Sequence, residues 1–172
     1  MTLATLMATC APLVHPTTLR ALIDVESAGN PYAVSVNRPQ ALSNAGIDPP
    51  GFEQPTNARE ALQLTRALAE AGFTTSLGLA QINTAHLRKF HLHLTDLFNP
   101  CTNLAAAQRI LLDCDAAQLS AAVPRPRVRL HRTLSCYNTG DFTTGIRNNY
   151  ANTVGRAAMR RDRDARPPRN PT

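Results

Sequence analysis

The sequence predicts a mainly α-helical fold in a single domain, and three observations carry that prediction. Ala and Leu dominate a chain that is 43% hydrophobic, and both residues favour helix. Apolar positions recur at helical spacing in several separate stretches. Gly and Pro stand between those stretches, where helices must stop. With 172 residues the chain is long enough to bury a real core. Residues 1–159 read as the domain and residues 160–172 as a basic tail.

The stretch 17–33 organises the rest. Leu19, Leu22, Ile23 and Glu26 fall at i, i+3, i+4 and i+7, on one helical face. Three of the four are apolar, so the face packs inward and draws Glu26 toward the core or a cleft wall. Asp24 points elsewhere. Pro16 suits the first turn of this helix, with residues 10–15 as a lead-in. Gly29 caps its end and Pro31 prevents it from continuing. Burial in partly apolar surroundings disfavours a charged carboxylate. An acid kept protonated in that way can give a proton to a leaving group. The other reading of the same pattern is a helix-end Glu that turns out to solvent.

Residues 34–56, with Pro39, Gly46, Pro49, Pro50, Gly51 and Pro55, form a long loop or flap beside the acid. Asn57 and Glu60 make a capping-box-like start for a helix with Ala61, Leu64, Thr65 and Leu68 on one face, closed by Gly72. Residues 76–83 form a turn of small side chains that lets a ligand approach the backbone. Residues 84–92 are helical, and 95–99 make a short turn. Thr102 or Asn103 caps a helix over 102–119 with Leu104, Ala107, Ile110 and Leu111 on its apolar face. Residues 124–132 are a basic loop leading into 133–138, and 149–160 form the last helix. Residues 160–172 hold three Pro and five Arg, a composition that reads as disordered.

The net charge of +6 draws the chain to any polyanion without selecting one. Its Arg residues sit mainly in Pro-rich loops and the tail, which argues against a specific nucleic-acid-reading helix. No stretch is long enough to span a membrane, and residues 1–11 lack the basic and apolar regions of a signal peptide. The four cysteines, Cys10, Cys101, Cys114 and Cys136, fit no zinc spacing. Their even number fits disulfides in an oxidising compartment; the alternative is four reduced thiols. If 102–119 is helical, Cys101 and Cys114 lie roughly 20 Å apart, beyond the ~7 Å a disulfide spans, so two connectivities remain. His91 and His93 lack a third ligand, and no metal or cofactor is expected.

Three separated pieces carry a resemblance: Glu26-Ser27-Ala28-Gly29-Asn30-Pro31-Tyr32-Ala33, Gly78-Leu79-Ala80-Gln81-Ile82-Asn83 and Ser135-Cys136-Tyr137-Asn138-Thr139-Gly140. In this order they resemble the ES…NPYA, GLxQIN and xYNxG motifs of the soluble-lytic-transglycosylase-like family. The resemblance runs over about residues 10–154 and is nearest to the small branch that serves type IV secretion and conjugation systems. It implies a goose-type-lysozyme-like helical fold that cuts peptidoglycan glycan strands in the periplasm, with secretion-system components as partners. It also implies that Glu26 protonates the oxygen between N-acetylmuramic acid and N-acetylglucosamine. The substrate's own N-acetyl oxygen then stabilises C1, and Glu26 acts as base on the C6 hydroxyl to close a 1,6-anhydro ring. Gln81 and Asn83 would line the cleft, although either could instead cap the next helix. Tyr137 would hold Glu26 or the substrate, although it could be core, and Ser35 matches a cleft serine of larger relatives. The resemblance favours Cys10 with Cys101 and Cys114 with Cys136.

Two features stand against or beside this reading. Aromatic residues are only 5% of the chain and Trp is absent, which is sparse for a sugar site. No second carboxylate carries a motif; Asp48, Glu53 and Asp141 are the ones whose position lets them approach a cleft. The rivals are a muramidase that uses water and a non-enzymatic basic helical or structural module.

Overall fold

The hydroxyl of Thr2 accepts the N–H of Thr5 at 3.2 Å and so starts the first helix. The computed structural model describes residues 1–118 and 125–164. In chain order these form α1 (Leu3–Cys10), α2 (Pro16–Ser27), β1 (Val34–Asn37), α3 (Gln40–Asn44), α4 (Ala58–Glu70), β2 (Thr74–Leu77), β3 (Ile82–Asn83), α5 (Leu87–Phe90), α6 (Pro100–Ala116), α7 (Pro126–Thr139), α8 (Thr144–Arg147) and α9 (Tyr150–Asp164). Short 3₁₀ segments lie at Thr84–His86 and Leu94–Phe98. The chain divides into two units, Met1–Val25 with the residues from Gln108 onward, and Glu26–Ala107.

In the first unit α7 packs against α8 and α9. Leu134, Ala151, Val154 and Ala157 are buried. Ser135 is wholly buried. Its hydroxyl accepts the N–H of Gly145 at 2.8 Å and donates to the carbonyl of Asp141 at 2.8 Å. Gly145 has to be Gly, because a Cβ there would stand 2.6 Å from the Ser135 Cα. A disulfide joins Cys114 on α6 to Cys136 on α7, with the Cα atoms 5.8 Å apart. Cys10 is disulfide-bonded as well, and no described cysteine is free.

Two readings of this unit need correction. The basic stretch 124–132 is helical from Pro126 onward; residues 119–124 lie outside the described residues. Pro at the first helical position is already set for helix, and Arg is a good helix former. Arg129 also gains a fixed partner, its Nε donating to Asp115 at 2.6 Å. The tail begins later than position 160, because α9 continues to Asp164. The reason is visible at Arg161, whose Nη2 donates to Asp24 at 2.9 Å and whose Nε donates to the same carboxylate at 2.5 Å. Residues 165–172, the remainder of the expected tail, lie outside the described residues.

In the second unit the three strands form an antiparallel sheet in the order β1, β2, β3. Ser35 faces Ser76 across the first pair, and Leu77 faces Ile82 across the second. Val34, Leu77 and Ile82 are buried, and α4 packs against β1 and β2. Asn57 caps α4 as the sequence reading has it, accepting the N–H of Glu60 at 3.1 Å. Glu60 reaches back to Thr56, accepting its N–H at 2.9 Å.

The stretch 34–56 is more ordered than a flap. It opens with β1 and α3. The Gln54 amide then acts like a strand partner for Val34, accepting its N–H at 3.0 Å and donating to its carbonyl at 2.9 Å. The turn expected at 76–83 includes the end of β2 and all of β3. The cap of α6 is neither Thr102 nor Asn103 but Asn99, whose Oδ1 accepts the N–H groups of Cys101 and Thr102 at 2.9 and 3.2 Å. α6 therefore begins three or four residues earlier than those caps would start it, at Pro100, and residues 84–92 hold a 3₁₀ turn and the single turn α5 in place of one helix. The expected lead-in at 10–15 is preceded by α1.

Asp24 supplies a pH-linked prediction. Burial alone would push its carboxyl up, but the hydrogen bonds and charges of Arg161 and Arg20 outweigh it and hold the carboxyl below its ordinary value. A depressed carboxyl stabilises the fold fully above the unfolded value of about 3.9 and loses that contribution as pH falls through the folded value. Arg161→Ala should therefore cost about 1 kcal/mol at neutral pH, in the range of a half-exposed pair, and the difference from wild type should vanish in strong acid. Urea unfolding of both proteins at a series of pH values measures it. Replacing both Cys114 and Cys136 by Ala should cost about 3 kcal/mol in the same assay, since a 22-residue separation then stays open in the unfolded chain.

Candidate active site

α2 ends at Ser27, and two left-handed residues, Ala28 (φ 51°) and Gly29 (φ 84°), turn the chain away. Gly takes that conformation without a Cβ penalty, which explains its place after the helix. The Ser27 hydroxyl accepts the N–H of Gly29 at 3.2 Å and donates to the carbonyl of Leu79 at 2.8 Å. Asn30 then holds the next bend: its Oδ1 accepts the N–H of Tyr32 at 2.9 Å, and its Nδ2 donates to the Pro55 carbonyl at 3.3 Å. The Ala33 carbonyl accepts the N–H of Gly78 at 2.9 Å. The first and second motifs are thus stitched together through the backbone. Glu26, half-buried, stands one residue before the Ser27 tie.

The turn at 78–81 is packed tightly against its surroundings. Gly78 has φ 78°, and a Cβ there would lie 2.4 Å from Asn103 Nδ2 and 2.6 Å from the Leu97 carbonyl. Gln81 is itself left-handed, with φ 50°. Its Nε2 donates to the carbonyls of Ala33 at 3.1 Å and Gly78 at 3.0 Å, and its Oε1 accepts the Ser35 hydroxyl at 2.7 Å. Both amide hydrogens and the single hydroxyl hydrogen are therefore engaged within the protein. What Gln81 and Ser35 can still offer a ligand are lone pairs, so together they suit a ligand's N–H or O–H donors.

The remaining sequence-predicted residues are placed as follows. Asn83 lies on β3, and its Oδ1 accepts the N–H of Ala85 at 2.8 Å, so its carbonyl oxygen caps the Thr84–His86 turn. Tyr137 belongs to the first unit, half-buried in the last turn of α7. That helix closes at left-handed Gly140, and Asn138 accepts the Nδ2 of Asn148 at 3.1 Å, holding the bend. Asp48 is exposed and ion-paired with Arg38. Glu53 is exposed. Asp141 stands just ahead of α8, and the Thr144 and Thr143 N–H groups each donate to it at 2.7 Å. Hydrogen bonds from Thr144 and then Thr143 hold its carboxyl far below the usual range.

Sequence reasoning missed three residues that shape this region: Ser27, Gln54 and Asn103. Asn103 is 1% exposed on α6. Its Nδ2 donates to the carbonyls of Leu77 at 2.8 Å and Leu97 at 2.9 Å, and its Oδ1 accepts the N–H of Ala80 at 2.8 Å. The signal for it was present, since Asn103, Ala107 and Ile110 fall at i, i+4 and i+7, which puts an amide on an apolar stripe. Ser27, two residues before Gly29, had the spacing of a hydroxyl-closed turn. Gln54 stands in a Pro-rich stretch without periodicity and carried no signal.

Residues 4–159 match the sequence model of the Transglycosylase SLT domain family. The chain is 33% identical over 138 residues to the type IV secretion system protein virB1 of Brucella abortus, covering 80% of this chain and 54% of that protein. It is 33% identical over 150 residues to protein virB1 of Agrobacterium fabrum, covering 87% of this chain and 56% of the relative. Protein virB1 of Rhizobium radiobacter is 30% identical over 150 residues, with 87% and 58% covered. The chain thus spans little more than half the length of these relatives. No solved structure matches significantly.

Gly78→Ala tests the tightness of the turn. The new methyl meets a carbonyl that cannot move aside, and the backbone is left-handed. Overpacking and the φ penalty together should cost about 3 kcal/mol in urea unfolding.

Proposed function

Because the chain belongs to the Transglycosylase SLT domain family, we propose that it is a peptidoglycan lytic transglycosylase in which Glu26 is the only acid–base group. The observation that carries this reading is the end of α2, where half-buried Glu26 stands beside a serine hydrogen-bonded to the turn at 78–81. A general acid must be held within hydrogen-bond reach of the atom it protonates, and the tie fixes the backbone that carries Glu26.

In this mechanism Glu26 gives its proton to the glycosidic oxygen between N-acetylmuramic acid and N-acetylglucosamine. The substrate's N-acetyl oxygen supports C1 as the bond breaks. Glu26, now a carboxylate, removes the proton of the C6 hydroxyl, and that oxygen closes on C1. No water enters. The C6 hydroxyl has a large entropic advantage over bulk water because it is already held beside C1. The lone pairs left on Gln81 and Ser35 suit sugar hydroxyl or acetamido N–H donors. Asn83 and Tyr137 enter the proposal through their motifs.

The relatives named as type IV secretion system proteins support a role beside such an apparatus, opening the wall locally from the periplasm. Among the described residues no helix is long and apolar enough to cross a membrane. A net charge of +6 adds attraction to an anionic wall.

Glu26→Gln keeps the side chain's shape and removes the proton. Wall lysis in a zymogram should be lost, with the circular-dichroism spectrum and melting close to wild type; retained lysis would remove the assignment. Mass spectrometry of wild-type digests should give 1,6-anhydromuramoyl ends, about one water lighter than hydrolysis products. Dominant reducing ends would make the enzyme a muramidase.

A further inference from the structure

We infer that Asn103, which touches no reacting atom, is the positioning residue that sets the acid in this site; the inference rests on the reading of Glu26 given above. Its amide is 1% exposed and binds the chain on both sides of the turn at 78–81, through the Leu77 carbonyl before it and the Ala80 N–H within it. A third bond, to the Leu97 carbonyl, ties the same amide to the 3₁₀ segment ahead of α6. The carbonyl between these anchors, that of Leu79, accepts the hydroxyl of Ser27. The line of force is short: Asn103 fixes the turn, the turn fixes Ser27, and Ser27 is bonded covalently to Glu26.

Only asparagine answers the geometry. The site needs two donors and one acceptor on a short planar group. Asp would supply acceptors alone and would bury a charge among carbonyl oxygens. Leu would suit the apolar stripe of α6 but would remove the hydrogen bonds to two carbonyls and an N–H. Gln carries one more methylene, and the space beside Gly78 has no room for it, since even a Cβ on that glycine would meet the amide at 2.4 Å. Gly78 and Asn103 are thus two halves of one contact. The same contact anchors Gln81, which follows Ala80 directly and holds a left-handed backbone.

Proton transfer is sensitive to displacements of well under an ångström, whereas binding of a long glycan strand is spread over many contacts. Loss of Asn103 should therefore act on turnover and spare binding. The experiment compares wild type, Asn103→Ala, Ser27→Ala and the double variant. It measures pelleting with purified sacculi, turnover into anhydro ends, the pH–rate profile and hydrogen exchange of the Ala80 amide. Asn103→Ala should bind sacculi within about twofold of wild type and turn them over about 30-fold more slowly. Its pH–rate limb for Glu26 should move, and the Ala80 amide should exchange faster. Ser27→Ala should lose about tenfold, and the double variant should be little worse than Asn103→Ala, since both act through one turn.

Folded Asn103→Ala with wild-type turnover overturns the inference, and so does a double variant whose losses multiply. Should Asn103→Ala fail to fold, Ser27→Ala decides, because it removes one half-buried hydroxyl; unchanged turnover there overturns the inference as well. Wild type that yields reducing ends removes the transglycosylase reaction, while Asn103 is still judged by the ratio of variant to wild-type turnover. Wild type that leaves sacculi intact overturns both.

Discussion

The turn at 78–81 places backbone groups where no helix or strand can pair all of them, and satisfying those groups is the constraint on which the second unit depends. Buried peptide groups without partners are costly, so nearly all find one. Here the partners are mostly side chains. Asn103 takes the Leu77 carbonyl and the Ala80 N–H, and Ser27 takes the Leu79 carbonyl. The Gln81 amide takes the Gly78 carbonyl, and the Ala33 carbonyl takes the Gly78 N–H. The turn can approach α6 so closely only because position 78 has no Cβ.

The motif residues serve the backbone of this turn. Gln81 reads from sequence as a hydrogen-bonding group for sugar. Its two donors instead hold Ala33 and Gly78, and its oxygen takes the Ser35 hydroxyl. Those bonds leave the Gln81 side chain little rotation to lose. Asn83 likewise serves the backbone first, as the cap of the following turn.

The mainly helical, lysozyme-like class was legible because helix periodicity survives in a single sequence. The face of Leu19, Leu22 and Ile23 is buried as its spacing demands. The sheet was not legible, for physical reasons. β3 is two residues long, and β1 opens a Pro-rich stretch in which four residues of alternation carry little weight. α7 was hidden because Pro and Arg alternate at its start, a composition shared with loops, and its first turn is settled by Arg129 finding Asp115. Glu26 reads from sequence as the continuation of the Leu19, Leu22 and Ile23 face, and it is half-buried at the end of α2. Asn103 was masked in spite of its place on an apolar stripe, because Asn at that position doubles as an ordinary helix-cap residue.

The surroundings of the other acids bear on the reaction class. A base that activates water must compete for a proton near neutral pH. Asp141 is poorly suited, because the hydrogen bonds it accepts from Thr144 and Thr143 at the start of α8 hold its carboxyl far below the usual range. Asp48 is exposed and paired with Arg38. Such a pair is weak enough to break, but a freed Asp48 would have to give up that partner before serving substrate. Glu53 is different. It is exposed, and its neighbour Gln54 is fastened to Val34 at the edge of β1 by two hydrogen bonds. The backbone at Glu53 is therefore held beside the strand that carries Ser35, one position on. Of the three acids, Glu53 follows a backbone held beside β1 and caps no helix, so it is the first to mutate if hydrolysis products appear. A mechanism that takes its nucleophile from the substrate needs none of the three.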